Sequence, residues 1–442
     1  MATELKNRHK RFPFLVIAPL RACYLVWPAE CKKWEEFNHF KVSILHGSKK
    51  EQALREKSDL YVVNPEGLQW LFDTIDELGI WPFEGIIVDE STKFKNGQNI
   101  RSKLLRYYLP RFRRRHILTG SPSPNGLEDL FGQIYILDQG GALGKYITKY
   151  RLEYFYPTGY GGYTWKPQKG AEERIYAKIA PLVLRMSEKD FLKLPKLHGV
   201  GDAEKGIEPN LVEVDLPKAA RAAYDEMEDE LFLLMKEGKI TAANGAVAQM
   251  KCAQIANGGL YLDSPKNTRW KLMHEAKTDA VLELVESMQG RPALIAVDFR
   301  HDEERLLKAL PKGTPCLTGI KNMNELKRIE RAWNVGDLPV MLGNPQSMAH
   351  ALNLQGGQAV IWHSLTYSYE LYDQFIRRLW RSGQKRPVFV YHIYARNTVD
   401  AAKMAAIKLK GKVQGALLAA LREYSLARSP ALRRALAAAK KA

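Results

Sequence analysis

The chain has 442 residues, of which 45% are apolar, 26% charged and 10% aromatic, enough for two globular cores and a small appendage. Lysine and arginine outnumber aspartate and glutamate by 67 to 49, and the resulting charge of +18 is the electrostatic footprint of a protein that meets nucleic acid. No apolar run approaches a membrane span and the first residues carry no apolar leader, so the sequence reads as a cytoplasmic protein with no membrane partner.

Residues 1 to about 150 alternate short apolar runs with polar, helix-like stretches. Strands are predicted at 14–20, 41–47, 60–67, 85–91 and 115–122, spaced widely enough for crossover helices, which makes a parallel sheet. Residues 151–270 are less regular. The stretch YFYPTGYGGYTWKPQKG (154–170), rich in aromatics and glycine, reads as a loop or extended ribbon. A surface excursion is the preferred reading there, and stacking against nucleic-acid bases is the alternative. Residues 217–239 carry apolar positions at helical spacing, with Pro217 near the start. A second alternating block occupies 271–405, with strands expected at 293–299, 314–319, 338–344, 358–364 and 387–393. The tail, 406–442, is rich in Ala, Leu, Lys and Arg, and suits either a basic helix on DNA or a solvated helix docked on the second block. The four cysteines, Cys23, Cys31, Cys252 and Cys316, form no C-x-x-C pair and have no histidine at zinc spacing. They indicate a reducing compartment and no metal site built on cysteine.

Three motifs carry chemistry. The run Ile86-Ile87-Val88 is β-branched without alternation, as in a strand buried on both faces, and it ends in Asp89 and Glu90. Open α/β sheets bind ligands at that end. Alone, the pair is equally compatible with a core strand followed by an acidic turn. Downstream, LTGSPSPN (118–125) repeats the pattern of a strand entering a polar turn. Farther on, QFIRRLWRSGQKRP (374–387) places Arg378 and Arg381 three apart, on one face if the segment is helical.

In order and company these blocks resemble the Swi/Snf-type ATPases of helicase superfamily two, especially compact bacterial and phage members. The resemblance runs from about residue 14 to 400 through VIAPLRACYLVWPAECKKW (16–34), YVVNPEGL (61–68), VDEST (88–92), LTGSPSPNGLEDLFGQIYILD (118–138), LVLRMSEKDFLKLP (182–195), ALNLQGGQAVIWHSLTYSYELYDQF (351–375) and RRLWRSGQKRPVFVYHI (377–393). It implies an α/β fold of two tandem RecA-like parallel-sheet lobes, with ATP and Mg²⁺ between them and duplex DNA bound through its backbone. Asp89 would hold Mg²⁺ through water and Glu90 would activate the attacking water. Arg378 and Arg381 would stabilise charge developing on the γ-phosphate. Thr92, Thr119, Gly120 and Ser121 would couple the site to the DNA track, with Asn353, Gln374 and Gln384 also lining the ATP cleft. Two departures from the family are Ala351, where glycine is common, and Trp380, where many relatives carry histidine.

The family's phosphate loop, G-x-x-x-x-G-K-[ST], precedes the block that begins here at Val16, and the fifteen residues before that block contain no glycine. GGALGKYIT (140–148) imitates it one residue short, with Tyr146 at the Ser/Thr position, and reads as a turn. The first lobe is therefore expected to lack its N-terminal strand and phosphate loop. Three explanations are considered: an internal start within a longer ATPase, a short separate polypeptide that supplies the loop, or a DNA-binding protein without hydrolysis. A nuclease is disfavoured, because Asp89 and Glu90 have no further carboxylates and lysine gathered around them.

Overall fold

The computed structural model describes residues 12–120, 122–123, 125–158, 164–184, 193–201, 208–236, 242–262, 269–320, 322–348 and 352–409. The chain divides into two compact units, Met1–Phe191 with Lys410–Ala442, and Leu192–Leu409. The stretch 151–270, irregular in sequence, is thus shared between them.

The first unit is built on a five-stranded sheet of β1 (Phe14–Ile17), β2 (Val42–Ile44), β3 (Leu60–Val63), β4 (Gly85–Asp89) and β5 (Arg114–Leu118), in the order β2-β3-β1-β4-β5. Every pairing is parallel. The runs FLVI and LYVV of β1 and β3 are buried along their whole length, which is why they read as unbroken apolar stretches. Helix Leu68–Leu78 buries Leu68, Leu71, Phe72 and Ile75 at helical spacing, and Gly79 at φ +62° closes it in the left-handed conformation that glycine adopts without cost. A separate apolar cluster joins helix Asp129–Asp138 to helices Ile147–Tyr154 and Ala171–Ile179 through Leu130, Phe131, Ile134, Tyr150, Tyr154 and Ile175. Between the last two helices, the aromatic stretch forms an antiparallel ribbon of β6 (Phe155–Thr158) and β7 (Thr164–Pro167), with residues 159–163 outside the described set.

The second unit opens with β8 (Leu197–His198) and β9 (Leu211–Val214), followed by the antiparallel pair β10 (Gly259–Tyr261) and β11 (Trp270–Leu272). Then come β12 (Ala293–Ala296), β13 (Val340–Gly343), β14 (Ala359–Trp362) and β15 (Val388–Ala395). Its main sheet is parallel, in the order β13-β12-β14-β15, and the eight-residue β15 takes β8 beside its first half and β9 beside its second. The strand expected at 314–319 is reduced to a single bridge between Cys316 and Leu342. Pro315, which has no N–H to donate, and Gly319 at φ +77° leave too little extended chain between them. The helix expected at 217–239 is found as Lys218–Lys236. Met404 and Ile407 pack into the second unit's core, while 410–442 lie outside the described residues. Each unit is therefore an α/β lobe around a parallel sheet.

Candidate active site

In the first sheet, the chain leaves β1 toward β2 on one side and leaves β4 toward β5 on the other, so the order reverses between β1 and β4. A crevice at the carboxyl ends of such neighbours is the natural ligand site of an open α/β sheet. Asp89 is the last residue of β4, two positions beyond the register pair Ile87↔Val16 and opposite Leu118 of β5. Its Oδ2 accepts a hydrogen bond from Trp27 Nε1 at 3.1 Å and its Oδ1 accepts from the Glu90 amide at 3.1 Å. Burial pushes the Asp89 carboxyl above its ordinary pKa, and the Trp27 and Glu90 donors oppose that rise. Trp27 begins helix Trp27–Lys33, where Pro28 fits the first turn.

Glu90 lies at φ +52°, ψ 57°, in the left-handed region that a residue with a side chain enters only at a cost. The chain then makes the short 3₁₀ turn Ser91–Phe94, with Ser91, Thr92 and Phe94 buried. Thr119 and Gly120 follow β5 directly, so they lie at the same end of the sheet as Asp89. Ser121 is outside the described residues.

Arg378, Arg381, Asn353, Gln374 and Gln384 belong to the second unit. The helical face expected for the two arginines is not formed. Helix Tyr369–Ile376 ends before them, and turns follow. The turns nevertheless bring the two side chains together, since Arg378 Nη1 and Arg381 Nη1 donate to the Leu352 carbonyl at 3.3 and 3.2 Å. The next residue, Asn353, donates its amide to Glu330 Oε1 at 3.1 Å. Burial raises the Glu330 carboxyl's pKa, against the Asn353 amide and the Arg381 charge. The side-chain oxygens of Asn353 and Gln374 are buried without a partner among the described residues, as polar groups awaiting a ligand or water would be. Gln384 is a brace. Its amide donates to the Gly357 carbonyl at 2.7 Å, and its oxygen accepts from the Lys385 and Arg386 amides.

GGALGKYIT is closed to phosphate. The Asp138 carboxylate already takes the Gly140 and Ala142 amides at 2.9 and 2.6 Å, so an anion occupies the place a phosphate would need. Among the described residues, no three or more His, Cys, Asp or Glu side chains form a metal-sized group. Magnesium is commonly held by one or two carboxylates, with substrate phosphates and water completing its shell, and the oxygen donors of Asp89 and Glu90 suit that arrangement.

Two residues of this site carried no sequence signal of their own. Trp27 lies in an apolar-aromatic run typical of a core. Gln133, which bonds Ser91, sits in a helix where a glutamine would ordinarily be solvated.

A parallel-sheet lobe ending in an Asp-Glu pair at its switch point, followed by a second such lobe with paired arginines, defines a helicase-like protein of superfamily two. The model of the SNF2-related domain matches residues 1–258, and the chain belongs to that family. It is 35% identical over 427 residues to protein p41 of Acyrthosiphon pisum secondary endosymbiont phage 1, covering 93% of this chain and 88% of the relative. It is also similar to the DNA annealing helicase and endonuclease ZRANB3 of Bos taurus, at 23% identity over 92% of this chain and 37% of that one. Chromodomain-helicase-DNA-binding protein 7 of Gallus gallus matches at 24% identity over 51% of this chain, but the chain spans only 7% of its length. Among solved structures, the Sulfolobus solfataricus SWI2/SNF2 ATPase core in complex with dsDNA aligns over 98% of this chain and 88% of that one, with 20% identity and a TM-score of 0.39.

Proposed function

We propose that this chain is the motor part of a Swi/Snf-type, DNA-stimulated ATPase that moves along duplex DNA. The observation that carries the proposal is the Asp89–Glu90 pair at the switch point of the first sheet, where ligand and strand ends meet. Mg²⁺, when bound with ATP, supplies charge to offset the phosphates. Asp89, oriented by Trp27, would be the carboxylate that holds that ion. Glu90 aligns the attacking water and takes its proton. Arg378 and Arg381, already paired at Leu352, provide cations for the γ-phosphate in the transition state. Thr92, Thr119, Gly120 and Ser121 link this chemistry to DNA, and the +18 charge favours backbone contacts without sequence preference.

The sequence contains no G-x-x-x-x-G-K-[ST], and its nearest imitation is occupied by Asp138. Hydrolysis therefore depends on a phosphate loop supplied in addition to these 442 residues, by a further segment or by a short separate polypeptide. The same observation favours a second reading, a DNA-binding or partner-binding protein that does not hydrolyse ATP.

The deciding experiment is ATP hydrolysis by the purified chain, with and without duplex DNA, before and after adding a segment that bears a family-type phosphate loop. The expected outcome is negligible turnover by the chain alone, and DNA-stimulated turnover by the completed protein that is lost in Glu90→Gln and Arg378→Ala. DNA-stimulated turnover by the chain alone would overturn the dependence on an added loop. DNA binding with no turnover in either form would establish the non-catalytic reading.

A further inference from the structure

The 3₁₀ turn Ser91–Phe94 follows the carboxylate pair, and the described residues Pro122, Ser123 and Asn125 of the polar 122–125 turn follow β5. One face of helix Asp129–Asp138 is bonded to both. Gln133 Oε1 accepts from Ser91 Oγ at 2.7 Å, while its Nε2 donates to the Pro122 carbonyl at 2.6 Å. One helical turn earlier, Asp129 Oδ2 accepts from the Asn125 amide at 2.8 Å and lies 3.5 Å from Lys95 Nζ. Residues four apart share a helix face, so the two bridges are parallel. Between them is Gly132, where an added Cβ would stand 2.4 Å from the Lys95 carbonyl oxygen and 2.5 Å from that of Phe94. The helix thus lies directly on the backbone of the carboxylate turn. Ser91 is wholly buried and Gln133 is 1% exposed, so water does not compete for these bonds.

We infer that helix Asp129–Asp138 is a strap that makes the carboxylate turn and the 122–125 turn move as one body, with Gln133 and Asp129 as its positioning residues. A glutamine serves here because its amide offers an acceptor to one turn and a donor to the other in a single planar group. Displacing either turn pulls the helix, and Gly132 leaves no slack between helix and backbone. On the function proposed above, the strap is how an event at the DNA-facing turn reaches Asp89 and Glu90.

The test compares native-state amide exchange of the full chain with that of Ser91→Ala, Gln133→Leu and the double variant, without ligand. Each single change strands a buried polar group and lowers the melting temperature. The double change removes both partners of the Ser91–Gln133 bond and recovers that part of the loss, while the Pro122 carbonyl stays without its Gln133 donor. In the wild type, amides of 91–95 and of Ser123, Asn125 and Gly126 are expected to share one opening, with the same rate and denaturant dependence. In the double variant, they are expected to separate by about tenfold in rate, although the part of the stability loss due to the Ser91–Gln133 bond has returned. Independent openings in the wild type, or a common opening retained in the double variant, would overturn the strap. Turnover assays on the loop-completed protein then read the consequence, a fall of about tenfold in DNA stimulation of kcat with KM for ATP unchanged. Concerted exchange in a protein without turnover would leave the strap standing and remove the proposed function.

Discussion

Both lobes carry surface ion pairs, but the second also buries charge completely. In the first, ion pairs such as Lys41–Glu56 lie on the surface, with the two side chains 53% and 42% exposed, and Asp89 and Glu90 stand at the carboxyl end of the sheet. In the second, Lys277 and Asp400 meet at 2.6 Å with both side chains wholly buried, and Lys277 also donates to Asn257 Oδ1. Nearby, the buried carboxylate of Asp302 accepts from Asn257, Ser364 and Arg305. This network ties helix Ala276–Ser287 to the segment beyond β15 and to the turn after β14. Buried pairs of this kind add little over a well-packed apolar core, yet they are costly to break singly. The second lobe is therefore the more brittle to point substitution, whereas ion pairs of the first, such as Lys41–Glu56, stay in solvent.

The sharpest way to break the contrast is Lys277→Met. It leaves Asp400 buried without its cation and is expected to cost about 3–5 kcal/mol in the second lobe's urea transition, with much of the loss recovered in Lys277→Met/Asp400→Leu. Acid should act on the same lobe. Burial lowers the pKa of His274 and His392 from 6.5 to about 4 each, so both rings are neutral in the folded protein while the unfolded chain takes up protons below 6.5. The contribution of these two rings should be full above pH 6.5 and be lost, on the order of 3 kcal/mol per ring, as pH drops to about 4, as followed by circular dichroism. In the first lobe, Gly132→Ala should cost about 1–3 kcal/mol, because the added methyl meets backbone oxygens that have no rotamer to change. The smallest effect is expected for Lys41→Ala, within about 1 kcal/mol and shrinking with salt. A larger loss there would show that surface charge also holds the first lobe together.

Most of the architecture was legible because fully buried parallel strands write themselves as unbroken apolar runs, as FLVI, LYVV and ALIA do. Edge strands do not. LVEV of β9 alternates exposed with half-buried residues, and β8 is two residues long, so both were lost in the stretch read as irregular. The carboxylates were visible because they end such a run. The arginines were found by their spacing, but the helix assumed for them was not, since their convergence on Leu352 depends on turns. Trp27 and Gln133 act on residues 62 and 42 positions away, a reach that local pattern does not encode.

Glu90 carries its carboxylate on a backbone conformation that glycine or asparagine would hold at lower cost. Heat selection acting on this lobe alone would therefore be expected to recover Gly or Asn at position 90, giving a tougher protein without the carboxylate on which the proposed hydrolysis relies. On the proposed function, the backbone cost at Glu90 is what this lobe gives up in firmness to keep a carboxylate beside Asp89.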